Sequence, residues 1–268
     1  MNGTIRNLRA PFSALLVVAF STLPALAAEN PWIGTWKLNK AKSHFTGQTF
    51  TYSKNANGLD HFSDGAMEYD FTANGIDYPV IGGSTESWTF TGPNVWTVTD
   101  KQDGKVTTVS KVELSKDCKT MKTETTGTRP DGSSINDQST YTKSKPGDGC
   151  LEGTWKSVKV NSSSPGMWIV SQTSPDEWKW DIPDWKETVT GKADGSDLPL
   201  TGPSVPSGLT VAIKEDSPHK MTYTVKQNGK VLSQGEQTLA PNGKSFTDQS
   251  WVPGKENEKQ IGVYEKQA

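Results

Sequence analysis

Gly34-Thr35-Trp36-Lys37 and Gly153-Thr154-Trp155-Lys156 are the same four residues at the head of two halves of nearly equal length. Further echoes follow each in the same order. Asn74-Gly75-Ile76-Asp77-Tyr78-Pro79-Val80-Ile81-Gly82 returns as Asp194-Gly195-Ser196-Asp197-Leu198-Pro199-Leu200-Thr201-Gly202. Lys101-Gln102-Asp103-Gly104-Lys105-Val106 returns as Lys226-Gln227-Asn228-Gly229-Lys230-Val231, Leu114 to Met121 as Leu239 to Phe246, and Tyr141-Thr142-Lys143 as Tyr264-Glu265-Lys266. The offset starts at 119 residues and drifts to 125, as small loop insertions would make it. Units of a solenoid run only roughly 20–50 residues, so this period predicts a duplicated domain.

Between the echoes the chain reads as strands separated by turns. In the first half they are expected near Gly34–Asn39, Gln48–Lys54, Leu59–Ser63, Met67–Ala73, Thr85–Thr91, Val95–Asp100, Lys105–Leu114, Lys119–Arg129 and Ser134–Lys143. In the second half they are expected near Gly153–Val160, Met167–Gln172, Trp178–Pro183, Trp185–Gly191, Leu209–Glu215, Lys220–Lys226, Lys230–Leu239, Phe246–Val252 and Gln260–Lys266. Asn-Gly and Asp-Gly pairs such as Asn57-Gly58, Asn74-Gly75 and Asp103-Gly104 suit hairpin turns with positive φ at both central residues. Trp96-Thr97-Val98-Thr99 and Lys220-Met221-Thr222-Tyr223-Thr224-Val225-Lys226 alternate on the same parity, which puts Trp96, Val98, Met221 and Tyr223 inside. No helical period lasts three turns; Asn39 to Phe45 could form one short turn. The expected fold is all-β: two tandem antiparallel up-and-down barrels with almost no helix. Nine runs per half suffice to close a small barrel.

The first 27 residues read as a signal peptide. Arg6 and Arg9 supply its charge, Phe12–Leu23 its apolar core, and Ala25-Leu26-Ala27 its cleavage site. An uncleaved anchor is the competing reading, although the run is short for a spanning helix. The rest divides into repeat 1 (28–144), a linker at 145–149 (Lys145-Pro146-Gly147-Asp148-Gly149) and repeat 2 (150–268). A periplasmic or secreted location follows, with no membrane insertion after cleavage. The formal net charge of -2 comes from scattered residues of both signs, which argues against a nucleic-acid partner. Apolar content is low at 32%, yet there are 10 Trp, a composition that fits thin β-structure and not disorder.

Gly-x-Trp on a first strand resembles the opening of lipocalins and the wider calycin group. The first half more closely resembles secreted bacterial lipocalin-like domains of uncertain activity. Gly34-Thr35-Trp36-Lys37-Leu38-Asn39, Ala41-Lys42-Ser43, Asp77-Tyr78-Pro79-Val80, Asp103-Gly104-Lys105-Val106 and Lys119-Thr120-Met121 carry the likeness, across Trp32 to Lys143. The second half departs from it: its first strand lacks Leu-Asn, and Leu198 stands for Tyr78. The resemblance implies that Trp36 and Trp155 each close one end of a barrel. It brings no catalytic residues.

No motif names a reaction, and the chain is expected to be no enzyme, to need no cofactor and to hold no metal. His44, His61 and His219 lie far apart without ligand-like spacing. Asp194-Gly195-Ser196-Asp197 lacks the further ligands of a calcium loop and fits a turn whose Asp caps backbone amides. The sharpest feature is a Trp cluster. Trp178 and Trp180 share one strand face, with Trp168 and Trp185 beside them. Their rings could wall a pocket for a small hydrophobic ligand in the second barrel, or fill a core short of large side chains. The leading functional reading is thus a binding protein; the alternative is a structural module of the envelope with filled barrels. Cys118 and Cys150 are the only cysteines and are expected to pair after export, tying barrel one to barrel two. Cys118 takes the turn position of Gly243 in the other half.

Overall fold

The computed structural model describes residues 30–162 and 166–268, so the leader expected over 1–27 lies outside the described part. In the first half the strands are β1 (Gly34–Leu38), β2 (Thr49–Lys54), β3 (Asp60–Ser63), β4 (Glu68–Phe71), β5 (Asn74–Pro79), β6 (Ser84–Gly92), β7 (Val95–Gln102), β8 (Lys105–Leu114), β9 (Thr120–Thr128) and β10 (Ser134–Pro146). The second half gives β11 (Gly153–Asn161), β12 (Met167–Ser174), β13 (Glu177–Ile182), β14 (Glu187–Gly191), β15 (Asp194–Thr201), β16 (Leu209–Ser217), β17 (Lys220–Gln227), β18 (Lys230–Leu239), β19 (Ser245–Trp251) and β20 (Gln260–Lys266). The described helical turns are single 3-10 turns at Lys40–Lys42 and Pro183–Trp185, the first of them inside the segment expected to make a short turn.

The twenty strands form two ten-stranded antiparallel sheets. One closes into a barrel in the order β1, then β12 through β20. The other is barrel-like and runs β4-β3-β2-β11-β10-β9-β8-β7-β6-β5. Its ends, β4 and β5, do not pair, whereas β14 and β15 do, at Thr188 opposite Thr201 and Val189 opposite Leu200. Alternation makes these sheets possible. In β9 Met121, Thr123 and Thr125 face in while Lys122, Glu124 and Thr126 face out.

The division into sheets is not the division into chain halves. β1 leaves its own half and lies between β12 and β20, with Gly34 opposite Val170 and Leu38 opposite Tyr264. In return β11 lies between β10 and β2, with Gly153 opposite Tyr52. The halves thus exchange their first strands, which corrects the picture of two barrels in tandem, each built from its own repeat and split at Lys145–Gly149. Hydrogen bonds continue just beyond the paired stretches: Leu38 N–H donates to Gly166 O, beside β12, at 2.9 Å, and Gly47 N–H, ahead of β2, to Ser157 O of β11 at 2.9 Å. Both strands carry a Trp, and each indole is fully buried in the sheet it joins. Trp36 packs with Trp32, Phe246 and Tyr264, and Trp155 with Leu114, Met121 and Leu151. The anchoring is matched. Trp36 Nε1 donates to Trp32 O at 2.9 Å and Trp155 Nε1 to Leu151 O at 2.8 Å. Lys266 covers one ring and Lys143 the other. Gly34 and Gly153 start these strands at φ +145° and +129°, and a Cβ at Gly153 would come within 2.5 Å of Lys145 O. Only glycine fits there.

Sequence reading missed two strands, β5 and β15, for one reason. Asn74-Gly75 is not a hairpin turn. Asn74 Oδ1 accepts the Ile76 N–H at 3.0 Å and Asp194 Oδ1 the Ser196 N–H at 2.9 Å, so each strand opens on a side-chain-capped bulge. The register against β6 and β16 shifts there, before Asp77 and Asp197. Those two aspartates then pair with Lys101 and Lys226 at 2.8 and 2.7 Å.

Cys118 and Cys150 are bonded, with Cα atoms 5.0 Å apart. Cys118 sits in the β8–β9 turn at φ +56°, matching Gly243 at φ +65° in the β18–β19 turn. The bond does not join the two sheets. Cys150 immediately precedes β11, so the disulfide holds the incoming strand to the sheet it completes. Replacing both cysteines by Ser should lower stability by roughly 3–4 kcal/mol by freeing a closed loop of 32 residues. Urea unfolding of the oxidised protein and the double variant measures this, and superimposable curves would remove the bond from the account. A second outcome follows from the exchange. A chain of residues 28–145 with Cys118→Ser lacks β11, so its β1 should fill the equivalent slot in a second copy. Light scattering should find a dimer; a cooperatively melting monomer would mean that β1 folds back onto its own sheet.

Candidate functional site

Between the sheets lies a partly enclosed cavity of about 680 Å³. It is lined from both sides by inward-facing positions near the junction. The first sheet contributes Phe50, Phe62, Thr123, Thr125, Asp137, Ser139 and Tyr141; the closed barrel contributes Trp168, Tyr223, Ser233, Asp248, Ser250, Gly262 and Tyr264. Phe45, Gln48 and Thr49, from or beside the first crossing segment, Trp251 at the end of β19, and Val252, Lys255 and Glu258 of the β19–β20 connection help complete it. That connection grips the other sheet. Glu258 accepts from Thr49 N at 2.8 Å, and Lys255 Nζ donates to Thr49 O at 2.7 Å.

The cavity exists because the strands change character along their length. Toward the far end of each barrel the inward residues are large: Phe71, Trp88 and Met121 in one, Trp36, Met221 and Phe246 in the other. Toward the junction Met121 gives way to Thr123 and Thr125, and Phe246 to Asp248 and Ser250. Small hydroxyl side chains cannot fill the lumen, so space remains. Tyr223 bends over Gly235, where a Cβ would meet its ring at 2.3 Å, and brings its hydroxyl to Asp248.

Of the four tryptophans expected at a site, Trp168 alone borders this cavity. It meets Tyr264 edge-on, with ring centroids 6.4 Å apart. Trp178 and Trp180 do share one strand face, stacked 5.7 Å apart, but they are buried in the core of the closed barrel. Lys179 and Asp181 point away and pair at 2.9 Å. These two rings therefore do the filling. Trp185 lies on the 3-10 turn Pro183–Trp185 under the Arg129 guanidinium, 5.7 Å from the ring centroid, where the β9–β10 turn of the first sheet meets the closed barrel. Tyr223 was readable as inward-facing from its strand alternation, whereas the cavity residues Asp248 and Trp251 escaped sequence reading. Parity was the available signal: Phe246, Asp248 and Ser250 share a face, which puts an acid where a core residue would be expected.

Asp248 carries the main electrostatic feature. Its Oδ2 accepts from the Tyr223 hydroxyl at 3.2 Å, and Gln237 stands opposite it in β18, but its Oδ1 makes no full hydrogen bond. Burial pushes its carboxyl up to about 6, against Gln237 and Tyr223, which favour the ionised form. The indole N–H of Trp251 also lacks a partner, while that of Trp168 is turned to the Tyr264 hydroxyl. Among the described residues no group of three or more His, Cys, Asp or Glu side chains is placed to hold a metal. His61 pairs with Asp70 on an outer strand face at 2.7 Å.

A second buried acid lies away from the cavity. Glu86 in β6 accepts from Trp88 Nε1 at 2.5 Å and from the Tyr69 hydroxyl, and faces Asp100 across β7. Burial first, and then the Asp100 charge, raise its carboxyl to about 7. Its partners Tyr69 and Trp88 are core side chains, so it belongs to a filled region.

Two measurements follow. Trp180→Ala should cost roughly 3–5 kcal/mol, the usual loss for a buried ring, and a shift under about 1 kcal/mol in thermal or urea unfolding would contradict the core placement. For Glu86 the folded value exceeds the unfolded one, so the native state holds its proton longer. Stability should fall as pH rises from about 4.5 to 7 and level off above. Glu86→Gln keeps the acceptor oxygen and mimics the protonated acid. It should flatten that slope and melt higher than the parent at pH 8; an unchanged slope would show that Glu86 does not titrate there.

The chain matches no family model, no curated protein and no solved structure.

Proposed function

We propose that this chain is an exported, non-catalytic binding protein, a duplicated lipocalin-like barrel that holds a small molecule at the junction of its two sheets. One observation carries the reading: a cavity of about 680 Å³ placed where both barrels stop being filled. That volume lies within the roughly 300–1,000 Å³ usual for small-molecule sites. Its walls combine aromatic rings (Phe45, Phe50, Phe62, Tyr141, Trp168, Tyr264) with hydroxyls of Thr and Ser. Such a lining packs an apolar body and orients polar groups on it. The sequence led to an apolar ligand within the second barrel; the cavity draws on both sheets and is more polar. The alternative of filled barrels fits the far ends, where Trp88 and Trp36 close off the lumens, but not the middle. Binding of this kind needs no cofactor, and the disulfide suits an oxidising compartment.

Titration with N-phenyl-1-naphthylamine tests the reading. Its fluorescence should rise and saturate at one probe per chain. Ser139→Trp places a ring into the cavity from β10 and should abolish the signal while leaving the melting temperature equal or higher. A probe that never saturates, or one indifferent to Ser139→Trp, would leave the barrels as structural modules.

A further inference from the structure

The charges around the cavity are unbalanced. Four carboxylates border it, Asp64, Asp137, Asp248 and Glu258, against one cation, Lys255. Three of the acids are engaged by the protein. Asp64 caps the Ala66 and Met67 amides at 2.8 Å each, Glu258 holds Thr49, and Asp137 accepts from Ser162 Oγ at 3.1 Å. Lys255 is spent on Thr49. Asp248 is the exception. Its two polar neighbours, Tyr223 and Gln237, are uncharged, its Oδ1 is shut from solvent without a full hydrogen bond, and no ion pair among the described residues includes it. A buried carboxylate without a counter-charge is costly, and a cation entering the cavity recovers that cost. The aromatic rings beside it are of the kind that favour a cation over their faces: Tyr223 touches Asp248, and Tyr264 and Trp168 line the same chamber, while Trp251 already carries Lys259 Nζ over its ring at 4.6 Å. The charge is also one-sided, because the position in β9 that matches Asp248 in β19 is Thr123.

We propose that the cavity selects an organic cation, an amine or quaternary ammonium on an apolar body, with the positive group against Asp248 and the body toward Phe50, Phe62 and Tyr141 of the other sheet. This rests on the cavity being a ligand site. An anionic ligand would meet four carboxylates, and a neutral one would leave Asp248 uncompensated.

Three probes of one shape separate these cases: 2-naphthylmethylammonium, 2-naphthalenemethanol and 2-naphthoate, titrated calorimetrically into the full protein at pH 7.5. The ammonium should bind tightest, by roughly tenfold or more over the alcohol, and the carboxylate should not bind. Asp248→Asn should erase the advantage of the ammonium over the alcohol. The ranking in the native protein needs no variant, so a poorly folding Asp248→Asn would not shelter the proposal. Equal affinities for ammonium and alcohol, or an advantage that survives Asp248→Asn, would overturn the cation while leaving the cavity as a binding site. Failure of all three probes, together with N-phenyl-1-naphthylamine, would overturn the site itself.

Discussion

The structure depends on two indoles buried away from home. Trp36 belongs by sequence to the first half and completes the core of the closed barrel; Trp155 does the reverse. Each brings a whole strand with it, because the ring can be buried only if its backbone joins the sheet alongside. Removing either would leave both a hole and an unfilled slot between two strands, whose backbone groups would lose their ladder partners. The sheets are therefore interlocked, not merely adjacent. The grip of Lys255 and Glu258 on Thr49 and the Arg129–Trp185 contact reinforce a joint that the chain path already makes.

The same joint explains why there is room in the middle. A free-standing barrel must plug both ends. Here the exchange turns the two inner ends toward one another, and the residues there can be small and polar without opening an apolar core to water. Thr123, Thr125 and Ser139 on one side and Asp248 and Ser250 on the other are tolerable for that reason. The outer ends keep the heavy aromatic filling, with Phe71 stacked 4.6 Å from Trp88, and Phe246 4.8 Å from Tyr264.

Much of this was legible in the amino-acid sequence, and the gaps have physical causes. The all-β class was readable because alternation and Asp-Gly or Asn-Gly turns act locally; Asp103-Gly104 and Asn228-Gly229 both adopt the expected positive φ. The strands β5 and β15 were not, since the Gly that signals a turn also makes a bulge. The exchange was hidden by the repeat itself. Gly-Thr-Trp-Lys is identical in both halves, so β1 and β11 fit either slot, and only the path of the connections decides. Of the Trp stretch Trp168 borders the cavity, whereas Trp178 and Trp180 satisfy the same strand parity while facing a filled core. The cysteine pairing was readable from number and turn position; its purpose was not, because that depends on which sheet receives β11.

Chain synthesis proceeds in one direction, and β1 is a strand that has to wait. Its partners are β12 and β20, and Asn39, just beyond it, hydrogen-bonds Glu265 across 226 residues. The first half cannot finish its own sheet until β11 exists, and β1 finds one partner only in β12 and the other only in the last strand. Contacts of such long range slow folding, since loop closure precedes any gain from the contact. Meanwhile an open sheet with an empty slot offers its edges to any free strand. For this molecule the strand made before every other described one is among the last to be fully paired, and it must wait without a partner until well into the second half.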